Sequence, residues 1–111
     1  MFPTLFNNRF DIRKSSIHGV GLFTKVPFKR GEKLFIALTS DERVTRLGSK
    51  VNHCPCTDPI SISKINTVLA QDSNGDWWSV ATRDLNANEE LTADYTYAPK
   101  FVQRPNPDWR C

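Results

Sequence analysis

The stretch "SSIHGVGLFTKVPFKRGEKLF", residues 15–35, sets how the rest of the chain is read. It holds two turns, each leading into a short apolar run. Gly19 and Gly21 flank Val20 ahead of "GLFTKV", and Gly31 precedes "KLFIAL". Runs this short, bounded by glycine and charged residues, read as strands. Upstream, "FDIRKS" alternates apolar and polar residues, and downstream "SISKINTVLAQ" carries β-branched residues at close spacing. In "AQDSNGDWWSV", Asn74-Gly75 predicts a hairpin turn with positive φ between two β-rich runs. No segment offers three turns of helical periodicity, and the best helix candidate is a turn or two around Asp41–Leu47. The fold class is mostly β, with short strands joined by turns. An internal echo supports this. "FKRGEKLF" and "LNANEELT" share a turn residue, an acid and then a strand. Gly31 suits a left-handed turn position, and Asn88 is among the few other types that tolerate one.

Composition narrows the function classes. A chain of 111 residues is one domain. With 39% hydrophobic and 24% charged residues it has a globular composition, and its three Trp, seven Phe and two Tyr can fill a core. No apolar run approaches the ~18–20 residues of a membrane span. "MFPTLFNNRF" lacks a basic region followed by an apolar stretch, so no signal peptide is read and an intracellular setting is expected. The net charge of +3 comes from basic residues spread along the chain. Nucleic-acid footprints cluster their charge on one face or helix, so direct nucleic-acid binding is disfavoured. Three cysteines, two of them in "CPC", do not suit a disulfide framework, and the chain reads as reduced.

The segment "KVNHCPCTDP", residues 50–59, concentrates candidate chemistry: Asn52, His53, Cys54 and Cys56. A zinc-stabilised nucleic-acid module using His53, Cys54, Cys56 and Cys111 is one reading. Tetrahedral zinc favours Cys-x₂₋₄-Cys knuckles, however, and "CPC" is one residue too short. A thiol enzyme is a second reading, but it needs nucleophile and base brought face to face. Adjacent residues such as His53 and Cys54 point their side chains apart.

A third reading takes three stretches together: "SSIHGVGLFTKVPFKRGEKLF", "NHCPCTDP" and "DLNANEELTADYTY". Their order, spacing and content resemble the SET domain, the fold of most protein-lysine methyltransferases, over roughly residues 9–98. Family members carry a "S-x-x-G-x-G-h-F-A" stretch with a Gly-Glu turn, then "N-H-S", then "G-E-E-L-T-x-D-Y". The resemblance implies short strands in several small sheets with a pseudoknot near the C-terminus. It also implies a single SET-like domain over residues 1–111, with its core at 9–98 and a closing segment at 99–111. The implied function is S-adenosylmethionine-dependent methyl transfer to a lysine amine of a protein or peptide, histones included.

The same resemblance assigns residues. His18, Gly19, Val20, Gly21 and Leu22 would lie against the cofactor, where Cβ atoms would obstruct it. Asn52 and His53 would contact the same cofactor, Tyr95 would line the point where methyl donor and lysine meet, and Tyr97 would form a second wall of the lysine channel. Trp109 would close over the cofactor. No metal is expected. The chemistry suits these types. A lysine amine, with a pKa of about 10.4 in water, must lose its proton, and a narrow aromatic channel beside a sulfonium favours the neutral form. A Tyr hydroxyl then orients the amine for in-line attack.

The sequence also departs from the family pattern. Cys54 replaces the usual Ser, and the insert between the Gly-Glu turn and Asn52 is short. These departures support an alternative: a catalytically degenerate SET-like domain that binds cofactor or a protein partner without turnover. A homodimer that completes the substrate groove is compatible with either reading.

Overall fold

Phe10–Lys14 (β1) and Val20–Thr24 (β2) pair antiparallel in unbroken register from Phe10↔Thr24 to Lys14↔Val20. The computed structural model of the chain describes residues 9–54, 63–94 and 98–102. Lys33–Leu38 (β3), Asn52–His53 (β4), Thr67–Gln71 (β5), Trp77–Ala81 (β6) and Thr92–Ala93 (β7) complete the strands. β3, β6 and β5 form an antiparallel sheet in that order, while β4 and β7 make a two-stranded parallel sheet. The expectation of a mostly β arrangement of several small sheets holds. Among the described residues no helix is long and apolar enough to cross a membrane.

Local chemistry explains the elements. β3 buries Leu34, Phe35, Ala37 and Leu38, which strict strand alternation would not allow. Two register shifts against β6, between Lys33 and Phe35 and between Ile36 and Leu38, turn consecutive side chains inward. The core continues through Phe10, which stacks on Phe28 at 5.4 Å and meets Phe35 edge-on at 5.2 Å. At the β5–β6 hairpin the positive φ falls on Gly75 alone, at 88°. Asn74 instead donates its backbone N–H to the Asp72 carboxylate, as do Asp76 N–H and the Trp78 indole.

The helical turn expected around Asp41–Leu47 is not there. Glu42 adopts φ 65°, which no right-handed helix accommodates, and the chain doubles back so that Val44 bridges Leu38. Thr39 drives this reversal: its N–H donates to Arg43 O at 2.8 Å and its hydroxyl oxygen accepts from Arg43 N at 3.2 Å. A 3-10 turn follows at Gly48–Lys50.

The two echoing turns prove to be partners. Phe28 and Leu85 exchange backbone hydrogen bonds at 3.0 and 2.9 Å. Gly31 and Asn88 have φ of 85° and 68°. Each turn is stapled by its own acid, the Glu32 carboxylate accepting from Lys29 N–H and the Glu89 carboxylate from Asn86 N–H. Each then bonds the other half of the molecule: Gly31 N–H donates to Ala81 O and Asn88 N–H to Thr24 O, while Ala81 N–H donates to Glu32 O and Thr24 N–H to Glu89 O. This reciprocal exchange ties β2 and β6 across the core. It also places residues 89–91 beside β2, where Phe23 bridges Glu90 and Leu91 N–H donates to Leu22 O at 2.8 Å.

Candidate functional site

The parallel pairing of β4 with β7 brings the second and third motifs together. Asn52 sits opposite Thr92 and His53 opposite Ala93, and Cys54 N–H extends the ladder to Ala93 O at 2.8 Å. On the other edge of the same segment, Asn66 substitutes for a strand. Its side-chain amide donates to Glu90 O at 2.8 Å and its side-chain oxygen accepts from Thr92 N–H at 2.9 Å. Thr67 adds a hydroxyl bond to Thr92 O at 2.7 Å. Residues 90–93 are thus held from both sides directly ahead of Tyr95. The expected pseudoknot involves segments that lie partly outside the described residues.

Asn52 also reaches the glycine loop. Its side-chain nitrogen lies 3.2 Å from His18 O, 3.1 Å from Val20 O, 3.2 Å from the Ser15 hydroxyl and 2.8 Å from a Glu90 carboxylate oxygen. An amide nitrogen carries two hydrogens, so these four acceptors share them. The Ser15 hydroxyl donates to the Glu90 carboxylate, with 2.9 and 2.8 Å to its two oxygens, and accepts from Ile17 N–H at 2.9 Å. Ser15 N–H closes the loop on Gly19 O at 2.8 Å.

The two glycines of the loop are glycine for different reasons. Gly19 has φ 50°, and a Cβ there would meet nothing within 4 Å. Together with Val20, 47% exposed, it leaves the backbone of residues 18–20 facing open space, against which an extended ligand can lie. This open backbone fits the expected cofactor. At Gly21, by contrast, a Cβ would stand 2.2 Å from a Glu90 carboxylate oxygen and 3.2 Å from the Asn52 amide nitrogen. Leu22, counted with the loop in the sequence, has its side chain fully buried in the core.

His53 lies within the protein with its ring nitrogen Nδ1 3.8 Å from the Asp94 carboxylate, both side chains almost wholly buried. Burial pushes the imidazole below its ordinary range, and the neighbouring carboxylate pulls it partly back. Cys54, next along the strand, is fully buried and disulfide-bonded. That corrects the expectation of a reduced chain: a thiol used in a disulfide is neither nucleophile nor metal ligand. Among the described residues no three His, Cys, Asp or Glu side chains gather where they could hold a metal ion. Ala93 borders an apolar cavity of about 280 Å³, walled also by Leu38, Val44, Val51 and Leu69.

The structure therefore brings His18, Gly19, Val20, Gly21 and Asn52 into one cluster, with His53 next to Asn52 on β4. Tyr95, Tyr97 and Trp109 lie outside the described residues. Sequence reasoning missed Ser15, Asn66 and Glu90. The available signal was a polar residue within a β-rich run for Asn66, and for Glu90 a second acid after the turn.

No protein-family model matches the sequence, and no curated protein matches it. The fold is similar to those of a number of solved structures, among them two of ATXR5. One is the ATXR5 SET domain in complex with di-methylated histone H3, at 14% identity and TM-score 0.64, covering 87% of this chain and 61% of that one. The other is ATXR5 in complex with mono-methylated histone H3.1, at 12% identity and TM-score 0.60, covering 87% and 60%. The chain spans about three fifths of the length of these structures. The likeness establishes a SET-like fold.

Proposed function

We propose that the chain is an S-adenosylmethionine-dependent protein-lysine N-methyltransferase. The observation that carries this reading is the double engagement of two adjacent residues. Asn52 bonds the carbonyls of the glycine loop, and His53 pairs with the strand that runs into Tyr95. The surface suited to a cofactor and the segment suited to a catalytic Tyr are thereby fixed to each other.

When bound, S-adenosylmethionine supplies a methyl group on a sulfonium, ready for transfer to a nucleophile. The exposed backbone of His18–Val20 and the Asn52–His53 strand would hold it. The Tyr95 hydroxyl oxygen would accept a hydrogen bond from the substrate amine N–H and so leave its lone pair aimed at the methyl group, with Tyr97 walling the channel and Trp109 closing over the cofactor. The apolar cavity beside Ala93 offers the kind of surface an aliphatic lysine stem needs. Excluding water there favours the neutral amine over the ammonium form.

A histone is the first substrate to test, because both ATXR5 structures were solved with histone H3. The test is transfer of tritium from labelled S-adenosylmethionine to histones and to bulk cell extract, with calorimetric titration in parallel. Labelling of a protein lysine supports the reading. Cofactor binding without transfer would instead identify the degenerate SET-like domain. Absence of any heat or thermal shift at millimolar cofactor would sink the cofactor site itself.

A further inference from the structure

The geometry points to Glu90 as the positioning residue of the glycine loop, and to Gly21 as a glycine that makes room for its carboxylate rather than for a ligand. Two observations converge on this. The first is packing. Phe23 and Glu90 are bridge partners on adjacent strands, so their side chains share a face. Gly21, two residues before Phe23, lies on that face too, and diagonal neighbours across a strand pair are within reach of long side chains. Glu90 leans over Gly21, where any Cβ would stand 2.2 Å from its carboxylate oxygen and 2.8 Å from its carboxyl carbon.

The second is connectivity. The Glu90 carboxylate takes the Ser15 hydroxyl proton at both oxygens and contacts the Asn52 amide at 2.8 Å. Ser15 in turn receives the N–H groups of Ile17 and His18, and Asn52 meets the carbonyls of His18 and Val20. Every side-chain tie named here on the loop therefore leads back to one carboxylate. With the Glu90 main chain fixed by Leu91 N–H to Leu22 O and by Asn66 to Glu90 O, that carboxylate has a rigid base.

Substitution at Gly21 separates the two explanations. Gly21→Ala is expected to weaken S-adenosylmethionine binding tenfold or more and to lower the melting temperature of the free protein. In a Glu90→Ala background the same change should alter affinity less than threefold and lower the melting temperature far less, because the two closest obstructions are gone and only the 3.2 Å approach to the Asn52 amide remains. Glu90→Ala by itself should raise KM for S-adenosylmethionine tenfold or more while kcat at saturation stays within threefold. Glu90→Gln, which keeps an oxygen for the Ser15 hydroxyl, should recover part of that affinity. Should Glu90→Ala not fold, Glu90→Ser vacates the same space and serves as the background. Equal damage by Gly21→Ala in both backgrounds would overturn the inference, since the glycine would then answer to something other than Glu90. The affinity arm rests on the methyltransferase reading; the unfolding arm does not. A wild type that binds no cofactor ends that reading, while the melting temperatures still decide the role of Glu90.

Discussion

Replacing Asn66 by alanine tests the clamp that holds the strand leading to Tyr95. Asn66 is 1% exposed, and its amide satisfies Thr92 N–H and Glu90 O. Truncation leaves both backbone groups without that partner, the Thr92 N–H in a buried place and the Glu90 carbonyl in a half-buried one. Each such loss costs about 1–3 kcal/mol, so Asn66→Ala should cost roughly 2–6 kcal/mol in all. A domain of this size has about 5–15 kcal/mol to lose, and 1 kcal/mol corresponds to about 4–8 °C in melting temperature. The expected drop is therefore ten degrees or more, with an unchanged urea m-value if only native contacts are lost. Asn66→Asp refines the test. It keeps an oxygen for Thr92 N–H but sets a carboxylate oxygen against Glu90 O. Burial and that carbonyl would raise the new carboxyl's pKa in the folded state, so this variant should gain stability as pH falls through its folded pKa toward the ordinary Asp value of about 3.9. Urea unfolding of the three proteins at neutral and mildly acidic pH decides the matter. An Asn66→Ala protein within about 0.5 kcal/mol of wild type, the range of an ordinary surface change, would refute the clamp.

Tyr95→Phe should leave cofactor affinity nearly intact and reduce turnover tenfold or more, since a hydrogen bond realised mainly in the transition state is worth about 2–4 kcal/mol; an active wild type whose rate survives the change rules out the assigned role. His53, held below the ordinary imidazole range by burial, binds a proton less readily folded than unfolded. Its contribution is complete above about pH 6.5 and is lost as pH falls through the folded value, so melting temperature should decline over that window. His53→Gln should remove this decline, and an unchanged slope would count against it. Because the Cys54 disulfide engages two of three cysteines, alkylation of the unreduced chain should label one cysteine and alkylation after reduction three. Three labels without reductant would contradict the disulfide.

What the sequence revealed was what short-range physics determines. β1, β2 and β3 follow from local alternation and glycine boundaries. The paired turns follow because left-handed positions leave a mark in residue type, at Gly31 and Asn88. The helix expected at Asp41–Leu47 failed because Thr39 and Val44 close a reversal onto β3, a contact that no helical period encodes. Asn66, Glu90 and Ser15 were illegible for a related reason. The bonds that join them, Asn66 to Glu90 O and Ser15 to the Glu90 carboxylate, span 24 and 75 residues, so each reads locally as an ordinary polar residue. Gly21 shows the opposite case: the sequence singles it out for a cofactor, whereas the atom nearest to a Cβ there belongs to Glu90, and only the fold reveals it.

The reciprocal turns suggest how one half of the fold came to carry the site. Glu32 and Glu89 do the same work, each stapling its own turn and bonding the opposite strand end. The next residue in each half diverges. Lys33 places its ammonium 5.4 Å from the Trp78 ring, a contact within the β3–β6 sheet. Glu90 instead turns its carboxylate toward Ser15, Asn52 and the glycine loop. The same backbone device thus delivers a cation to a structural face in one half and an anion to the candidate site in the other. A carboxylate at residue 33 would lose the attraction to the indole and gain nothing equivalent. A lysine at residue 90 would offer donors where the Ser15 hydroxyl and the Asn52 amide need an acceptor, and would leave the loop untied. The chemical asymmetry between these two positions, set on a shared backbone, distinguishes the half that carries the candidate site from the half whose contact at this position stays within the β3–β6 sheet.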